Sequence, residues 1–364
     1  MSAYLRAVGL DFSEKVVRQR PTSSISFVVA LDRVITTPLL TRIKVVDKCL
    51  LEHFVMELKL LDHLCFVKSV FCHEHPVITP RVLDALFDEL SSPGEVRSVF
   101  NDTRRFKDLI PADLLNIKFL RQEMQINTSS PFDTGFQHLL FYFKQLPTVQ
   151  MADDGDYGMD RVFNNLVLIY NAPWPLNICL HDRVLAKYNT IFCILTRVKY
   201  AIWALESVFH LLRNHRRATP TTKSVYFQAS LWRHEMDRVV RDLDAYFCLH
   251  AVQSSWRVFI KRIGAFELLP SLDEHSQPPE ELTTMRSLDE LSQAHEECVD
   301  TIIHSCLMNI AEDGPGIQAS LAGLLDSVHR FRRTLLLTQG QEYAASNQLN
   351  AVVDQFRSHS HSLY

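Results

Sequence analysis

Residues 184–212 read VLAKYNTIFCILTRVKYAIWALESVFHLL, and this stretch decides the fold. Its apolar positions alternate between steps of four and three residues: Val184, Tyr188, Ile191, Leu195, Val198, Ile202, Leu205, Phe209 and Leu212. This spacing predicts one apolar seam along a helix about 45 Å long. Burial of each such side chain contributes roughly 1.5–3 kcal/mol, so the helix is expected to pack along most of its length. Additional apolar residues on its other faces place it in the middle of a bundle.

Glycine and proline are distributed as in a helical protein. Only 10 glycines occur in 364 residues, and none lies between Gly158 and Gly264, whereas sheet-rich folds need glycine in tight turns. Proline is absent from 39–75, 176–219, 221–269 and 316–364, which leaves room for long helices because an internal proline costs about 3 kcal/mol. We therefore predict an all-α fold, an elongated multi-helix bundle with a short extended segment near residues 163–180.

The apolar periodicity and the helix-boundary signals predict further helices. A capping box formed by Ser287 and Glu290 opens one of them, and Gly340 stops another. The predicted ranges are 37–70, 134–145, 222–263, 287–308 and 317–338.

Charge and cysteine content indicate which partners and which compartment to expect. The formal charge of −4 gives no overall attraction to nucleic acid or to an anionic membrane. Eight cysteines occur without a CxxC pair, which is typical of buried thiols in a reducing compartment. There is no secretory signal pattern and no apolar run of about 18 residues, so we expect a soluble cytoplasmic protein without membrane insertion.

Motifs for catalysis or cofactor binding are weak. Cys72-His73-Glu74-His75 groups metal-ligand side chains, but a zinc site needs a ligand from elsewhere, and a polar loop explains the cluster equally well. Asp153-Asp154-Gly155-Asp156 resembles the start of a calcium loop without its closing glutamate. No phosphate-binding loop, dinucleotide motif or nucleophile elbow occurs. We predict no catalytic residues, no metal, no cofactor and no enzyme activity.

One basic cluster joins the two longest predicted helices. It consists of Arg213, His215, Arg216, Arg217 and Lys223. These cations are explained either by a solvated loop beside a helix C-terminus or by binding to an acidic protein surface.

The segment from Tyr170 to Glu206 resembles a family signature. YNAPWPLNI at 170–178 is followed by Leu185-x-x-Tyr188-Asn189-x-x-Phe192-x-x-Leu195, with Lys199 and Glu206 further along. This order is similar to the tryptophan-proline-leucine turn and following helix of the gamma-tubulin complex proteins. Three further segments agree in order with that family: Phe54 to Phe66, His250 to Trp256, and Asp289 to Leu307.

Two departures from the family pattern indicate a divergent member. Lys68-Ser69-Val70-Phe71 stands where many members have glycine-aspartate-phenylalanine, and Cys298 stands where an aromatic residue is usual. Kinship with the fifth component of the complex is expected from this divergence. The resemblance covers the family's C-terminal half, so the chain is expected to be an isoform, a fragment or an abbreviated protein.

The resemblance implies three regions and a function. They are an N-terminal segment at 1–36, a gamma-tubulin complex C-terminal helical domain at 37–340, and a helix end with a loose tail at 341–364. The implied function is direct binding of gamma-tubulin within the gamma-tubulin ring complex, in microtubule nucleation at microtubule-organising centres, centrosomes and spindle poles. The alternative is a helical scaffold that binds other complex components without touching tubulin. The partner-binding residues predicted from the resemblance and the charges are Trp174, Lys187, Tyr188, Arg197, Lys199, Arg213, Arg216, Arg217, His295 and Glu296.

Overall fold

The structure is a computed structural model of the chain. The described ranges are 31–75, 139–143, 166–214, 220–264, 285–306, 314–337 and 342–363, with single positions at 29, 79, 80, 83, 84, 87 and 163. Within these ranges the chain is all-α apart from one small hairpin, as predicted.

The predicted helix over 37–70 is divided into two helices. Helix α1 runs over Thr37–Glu52, with a π-helical turn on each side at Asp32–Thr36 and His53–Glu57, and helix α2 runs over Leu60–Phe71. The prediction of a single helix was wrong because Lys59 adopts a left-handed backbone with φ of 51°. That conformation ends one helix and redirects the chain into the next.

A two-stranded antiparallel hairpin lies between the helices. Strand β1 covers Leu139–Phe143 and strand β2 covers Leu166–Tyr170, with Leu139 opposite Tyr170. The predicted extended segment near 163–180 is therefore present, and it continues into a 3-10 turn at Leu176–Ile178. Of the predicted helix over 134–145 the structure describes Leu139–Phe143, and there the prediction was wrong because these five consecutive apolar residues carry no helical period and pair with β2 instead.

Two long helical segments form an antiparallel pair. Helix α3 runs over Asp182–Asn214 and helix α4 over Pro220–Ala245. A π-helical segment at Tyr246–Gln253 and helix α5 at Ser254–Ile263 continue α4 without a break, so the predicted helix over 222–263 is confirmed. Gly264 ends α5 in the left-handed conformation with φ of 74°, which a glycine adopts without strain.

Three further helices complete the described fold. Helix α6 runs over Leu288–Ser305, and the predicted cap is present, since the Glu290 amide donates to the Ser287 hydroxyl at 3.2 Å. Helix α7 runs over Gly314–Leu337 and helix α8 over Glu342–Leu363. A helix end with a loose tail was predicted for 341–364, but the last residues up to Leu363 are part of α8. Leu349, Val353 and Phe356, four and three residues apart, are buried and hold this helix against the bundle.

Helix α3 is the central element of the bundle. It contacts α2, α4, α6, α7 and strand β2, and α8 covers α7 and α4. Seven of its nine seam positions are buried, Ile202 is half-buried, and Phe209 is exposed beneath the Arg233 guanidinium, which lies 5.2 Å from the ring centre. The seam is therefore mainly core. No described helix is long and apolar enough to cross a bilayer.

Candidate partner-binding face

Tyr188 and His295 form a buried polar contact between α3 and α6. The Tyr188 hydroxyl lies 2.9 Å from His295 Nε2, and both side chains are fully buried. The rings of Trp256 and Phe259 from α5 surround the imidazole, with centroids 6.4 and 5.5 Å from that of His295. Burial lowers the pKa of His295 to about 4, so the imidazole is neutral at physiological pH.

This burial corrects part of the predicted contact set. Tyr188 and His295 were expected to touch a partner, yet neither side chain reaches the surface. In this chain the two side chains take part in the packing of α3 against α6. Both side chains instead belong to the core, where they join α3 to α6.

An ion cluster stands outside this buried contact. Lys187 Nζ donates to Glu296 Oε1 and to Asp300 Oδ2, both at 2.7 Å, and Arg183 Nε lies 3.4 Å from Glu296 Oε1. The hydrogen bond from Lys187, with Arg183 adding to its effect, lowers the pKa of Glu296. The structure therefore places two predicted residues, Lys187 and Glu296, together on one side of the α3–α6 contact.

Asn189, which follows Tyr188, holds the hairpin against α3. Its Oδ1 accepts from the Leu168 amide at 2.7 Å, and its Nδ2 donates to the carbonyls of Leu168 at 2.9 Å and Leu185 at 3.0 Å. The amide side chain thus occupies both backbone groups of Leu168 as a neighbouring strand would. This role was missed from the sequence, although the Tyr-Asn pair stood in the signature.

The turn before α3 presents an exposed tryptophan. Trp174 has 84% of its surface exposed and precedes a cis peptide bond to Pro175, while Ile178 is 56% exposed. Leu176 and Cys179 on the same turn are buried. Burial, with the nearby Asp289 carboxylate, raises the pKa of the Cys179 thiol to about 11, and Ser292 of α6 hydrogen-bonds to that thiol. The turn is thus anchored on the first turns of α6 and points its indole to solvent.

A shallow groove runs beside this turn. It has a volume of about 530 Å³ and lies between β2 and the face of α3 that carries Asp182, Asn189 and Arg197. Arg197 is half-buried in its wall. We group the exposed turn residues Trp174 and Ile178 with the ion cluster of Arg183, Lys187 and Glu296, and call this set the Trp174 face.

The remaining predicted residues lie elsewhere. Lys199 Nζ donates to Oδ2 of Asp244, near the end of α4, at 2.8 Å, so it joins α3 to α4. Arg213 is exposed near the end of α3, about 45 Å along the helix from its first residue, Asp182. Arg216 and Arg217 lie outside the described residues, as do His215 and the side chain of Lys223.

The Cys72-His73-Glu74-His75 cluster is divided among separate contacts. Thr196 donates its hydroxyl hydrogen to the Phe192 carbonyl, and its oxygen lies 3.2 Å from His73 Nε2. Glu74 pairs with the buried Lys68. Among the described residues no three His, Cys, Asp or Glu side chains converge as metal ligands. The Asp153-Asp154-Gly155-Asp156 motif lies outside the described residues.

Comparison with known proteins identifies a family over most of the chain. Residues 60–364 match the family model described as gamma tubulin complex component C-terminal. The chain is 24% identical over 348 residues to human gamma-tubulin complex component 6, covering 92% of this chain and 17% of that protein. It is 23% identical over 303 residues to Arabidopsis thaliana gamma-tubulin complex component 3, covering 79% of this chain and 30% of that protein.

A third relative is the Medicago truncatula gamma-tubulin complex component 4 homolog, 21% identical over 219 residues, or 56% of this chain and 26% of that protein. The chain thus spans less than a third of the length of each of these relatives. They carry the component numbers six, three and four, so kinship with the fifth component stays a prediction.

Proposed function

The chain belongs to the gamma-tubulin complex component family, and on that premise we propose that it binds gamma-tubulin directly within the gamma-tubulin ring complex and acts in microtubule nucleation. The observation that carries the proposal is the family match at 60–364, which includes helices α2 to α8. The same range contains the central helix, its polar contacts with α6 and the Trp174 face.

Trp174 is the strongest contact residue on physical grounds. Tryptophan dominates many protein interfaces because it buries a large apolar area and keeps one polar group available. Here the indole is exposed while the rest of its turn is anchored, so little conformational entropy is lost when a partner covers it. This combination supports the Trp174 face as the centre of the interface.

The charged residues around the tryptophan have a secondary role in the proposal. Lys187 and Glu296 already form an intramolecular ion pair, so they act at the rim, where charge changes association rate more than affinity. Lys199 lies apart from this face, is paired with Asp244, and is proposed to contribute in the same way. Arg213, Arg216 and Arg217 are proposed to attract the acidic surface of the partner from the far end of α3, and Arg197 to act from the groove wall. Tyr188 and His295 serve only to hold α3 against α6.

The proposal includes the cellular setting and the absence of chemistry. The protein acts without catalysis and without a metal or cofactor, in the cytoplasm and cytoskeleton, at microtubule-organising centres such as the centrosome and at spindle poles. Its partners are gamma-tubulin and other gamma-tubulin complex components. Nucleic acid and membrane insertion have no part in it.

A second candidate function is a scaffold that binds other complex components without gamma-tubulin. The observation that favours it is the pairing of Lys187 with Glu296 and of Lys199 with Asp244, because charges engaged within the bundle contribute less to a partner. In this case the signature residues serve packing alone.

Co-sedimentation of the purified chain with purified gamma-tubulin separates the two functions. At low micromolar concentration and low salt, direct binding brings both proteins into one complex, and charge reversal at Lys187 and Lys199 weakens it. The scaffold function is supported instead if gamma-tubulin stays free while other complex components are retained by both the unaltered and the charge-reversed chain.

A further inference from the structure

Tyr170 is the last residue of β2 and stands directly before the turn that carries Trp174. It is 2% exposed, and its ring centroid lies 6.0 Å from that of Phe66 on α2. Its hydroxyl is hydrogen-bonded to Nδ1 of His63, which is also on α2 and is 6% exposed. Burial raises the pKa of Tyr170, so the hydroxyl keeps its proton. This contact ties the end of β2 to α2.

Helix α2 is a firm base for that contact. Ten of its twelve residues are buried, and His63 is one of them. A polar side chain in such a setting needs a hydrogen-bond partner, because a buried polar group without one is costly. The Tyr170 hydroxyl is a partner of this kind, and it comes from a residue 107 positions further along the chain.

The connection from Tyr170 to Trp174 is short and stiff. Only residues 171–173 separate the two, so their Cα atoms are at most about 14 Å apart. The Ala172 amide donates to the Tyr170 carbonyl at 3.2 Å. A proline stands on each side of Trp174, and each proline restricts its own φ and the residue before it. A shift of Tyr170 is therefore expected to move Trp174 as well.

The indole depends on these flanking residues for its position. Trp174 is 84% exposed, so few contacts of its own hold it in place. On its C-terminal side the turn is held by the buried Leu176 and Cys179. On its N-terminal side the buried residue is Tyr170, and the bond to His63 fixes the far end of that side chain.

We propose that His63 is a positioning residue for the Trp174 face. By holding the Tyr170 hydroxyl, it fixes the point at which the chain leaves β2, and so the place where the indole meets a partner. His63 is buried and acts through Tyr170 and Trp174 rather than by touching the partner. The inference rests on the proposed function, because it takes Trp174 as a contact with gamma-tubulin.

Tyr170→Phe tests the proposal on the full chain, because it removes the hydroxyl and keeps the ring. Time-resolved fluorescence anisotropy reports how freely the indole moves, with the Trp174 signal obtained by subtracting the same chain carrying Trp174→Ala. The fast part of the anisotropy decay is expected to grow at least about twofold. The affinity for purified gamma-tubulin is expected to fall about three- to tenfold, because a looser indole loses more conformational freedom on binding.

Non-additivity separates positioning from a general loss of stability. In a chain that already carries Trp174→Ala, Tyr170→Phe is expected to change the affinity less than about twofold, because the residue through which it acts is gone. His63→Leu is expected to reproduce the effects of Tyr170→Phe. His63→Asn keeps a polar atom at the place of Nδ1, so its affinity is expected to stay within about twofold of that of the unaltered chain.

Tyr200→Phe is the matched control. The Tyr200 hydroxyl lies 3.4 Å from Nδ1 of His329, in a second Tyr–His pair about 27 Å along α3 from Asp182. Its loss is expected to leave both the anisotropy and the affinity within about 1.5-fold of the unaltered chain. Circular dichroism checks that every variant keeps its helix content.

Three results overturn the proposal. They are an unchanged anisotropy or affinity in Tyr170→Phe, an equal loss of affinity with and without Trp174, and equal changes in Tyr200→Phe. If the unaltered chain does not bind gamma-tubulin, the proposed function fails, and the anisotropy alone then decides whether His63 positions the turn.

Discussion

The Tyr188 hydroxyl on α3 lies 2.9 Å from His295 Nε2 on α6, and this contact is buried among the rings of α5. It is flanked on the solvent side by the ion cluster of Lys187 and Glu296. These contacts join the central helix α3 to α6, the helix on which the Trp174 turn is anchored.

Loss of the Tyr188 hydroxyl is expected to destabilise the bundle without removing a partner contact. Tyr188→Phe leaves His295 Nε2 buried without its bond, which costs about 1–3 kcal/mol. Urea denaturation measures this change. Tyr188→Phe combined with His295→Leu removes both polar groups and is expected to be no less stable than Tyr188→Phe alone. An unchanged midpoint in Tyr188→Phe would show that the contact contributes nothing.

Stability is expected to fall as the pH falls below about 6.5. Burial lowers the pKa of His73 to about 3, with Lys199 adding to the effect, and burial lowers those of His75 and His295 to about 4. The unfolded chain therefore binds more protons than the folded chain between pH 6.5 and these values, so acid favours unfolding.

The expected loss between pH 7.5 and 5.5 is about 1 kcal/mol for each of these histidines. Urea denaturation at several pH values measures it. His295→Gln removes one titrating group, and it is expected to reduce the slope of stability against pH, whatever its effect at pH 7.5. A stability that is flat over this range would contradict the buried neutral state of these imidazoles.

Asn189 is expected to fix the position of β2. Asn189→Ala removes hydrogen bonds to both backbone groups of Leu168, at a cost of about 1–3 kcal/mol. Hydrogen exchange at the Leu168 amide is expected to accelerate strongly in this variant.

Thr190→Ala is the control for that exchange measurement. The Thr190 hydroxyl bonds to the Ala186 carbonyl within α3, so its loss is expected to leave the Leu168 amide protected. Similar protection of this amide in the unaltered chain and in Asn189→Ala would mean that the hairpin is held by other contacts.

The sequence was sufficient for the elements whose signals are local. The 4-3 spacing of α3, the serine cap of α6 and the glycine after α5 each follow from backbone chemistry within a few residues. The left-handed Lys59 was not predictable in the same way, because lysine gives no signal for positive φ. The end of α8 was not predicted as helix because it is rich in serine and histidine. Its few buried apolar residues do have helical spacing.

The site was less predictable than the fold. The signature identified Tyr188 and His295 as important, but residue type does not tell whether a side chain faces the core or a partner. Trp174 was predicted as a contact residue, and its exposure agrees with that role without testing it. Asn189 was missed because its partner is the backbone of a strand that was recognised only as an extended segment.

Direct binding is tested best by measuring the affinity of the full chain for purified gamma-tubulin. The same measurement is made on two variants, one altered at Trp174 and one at Phe227. Trp174→Ala removes the exposed indole, and Phe227→Ala removes a 66% exposed aromatic ring on α4, near the opposite end of α3. We expect the unaltered chain to bind at low micromolar concentration, Trp174→Ala to weaken binding at least about tenfold, and Phe227→Ala to stay within about threefold. No binding by the unaltered chain would contradict direct gamma-tubulin binding, and an equal loss in both variants would contradict the Trp174 face as its site.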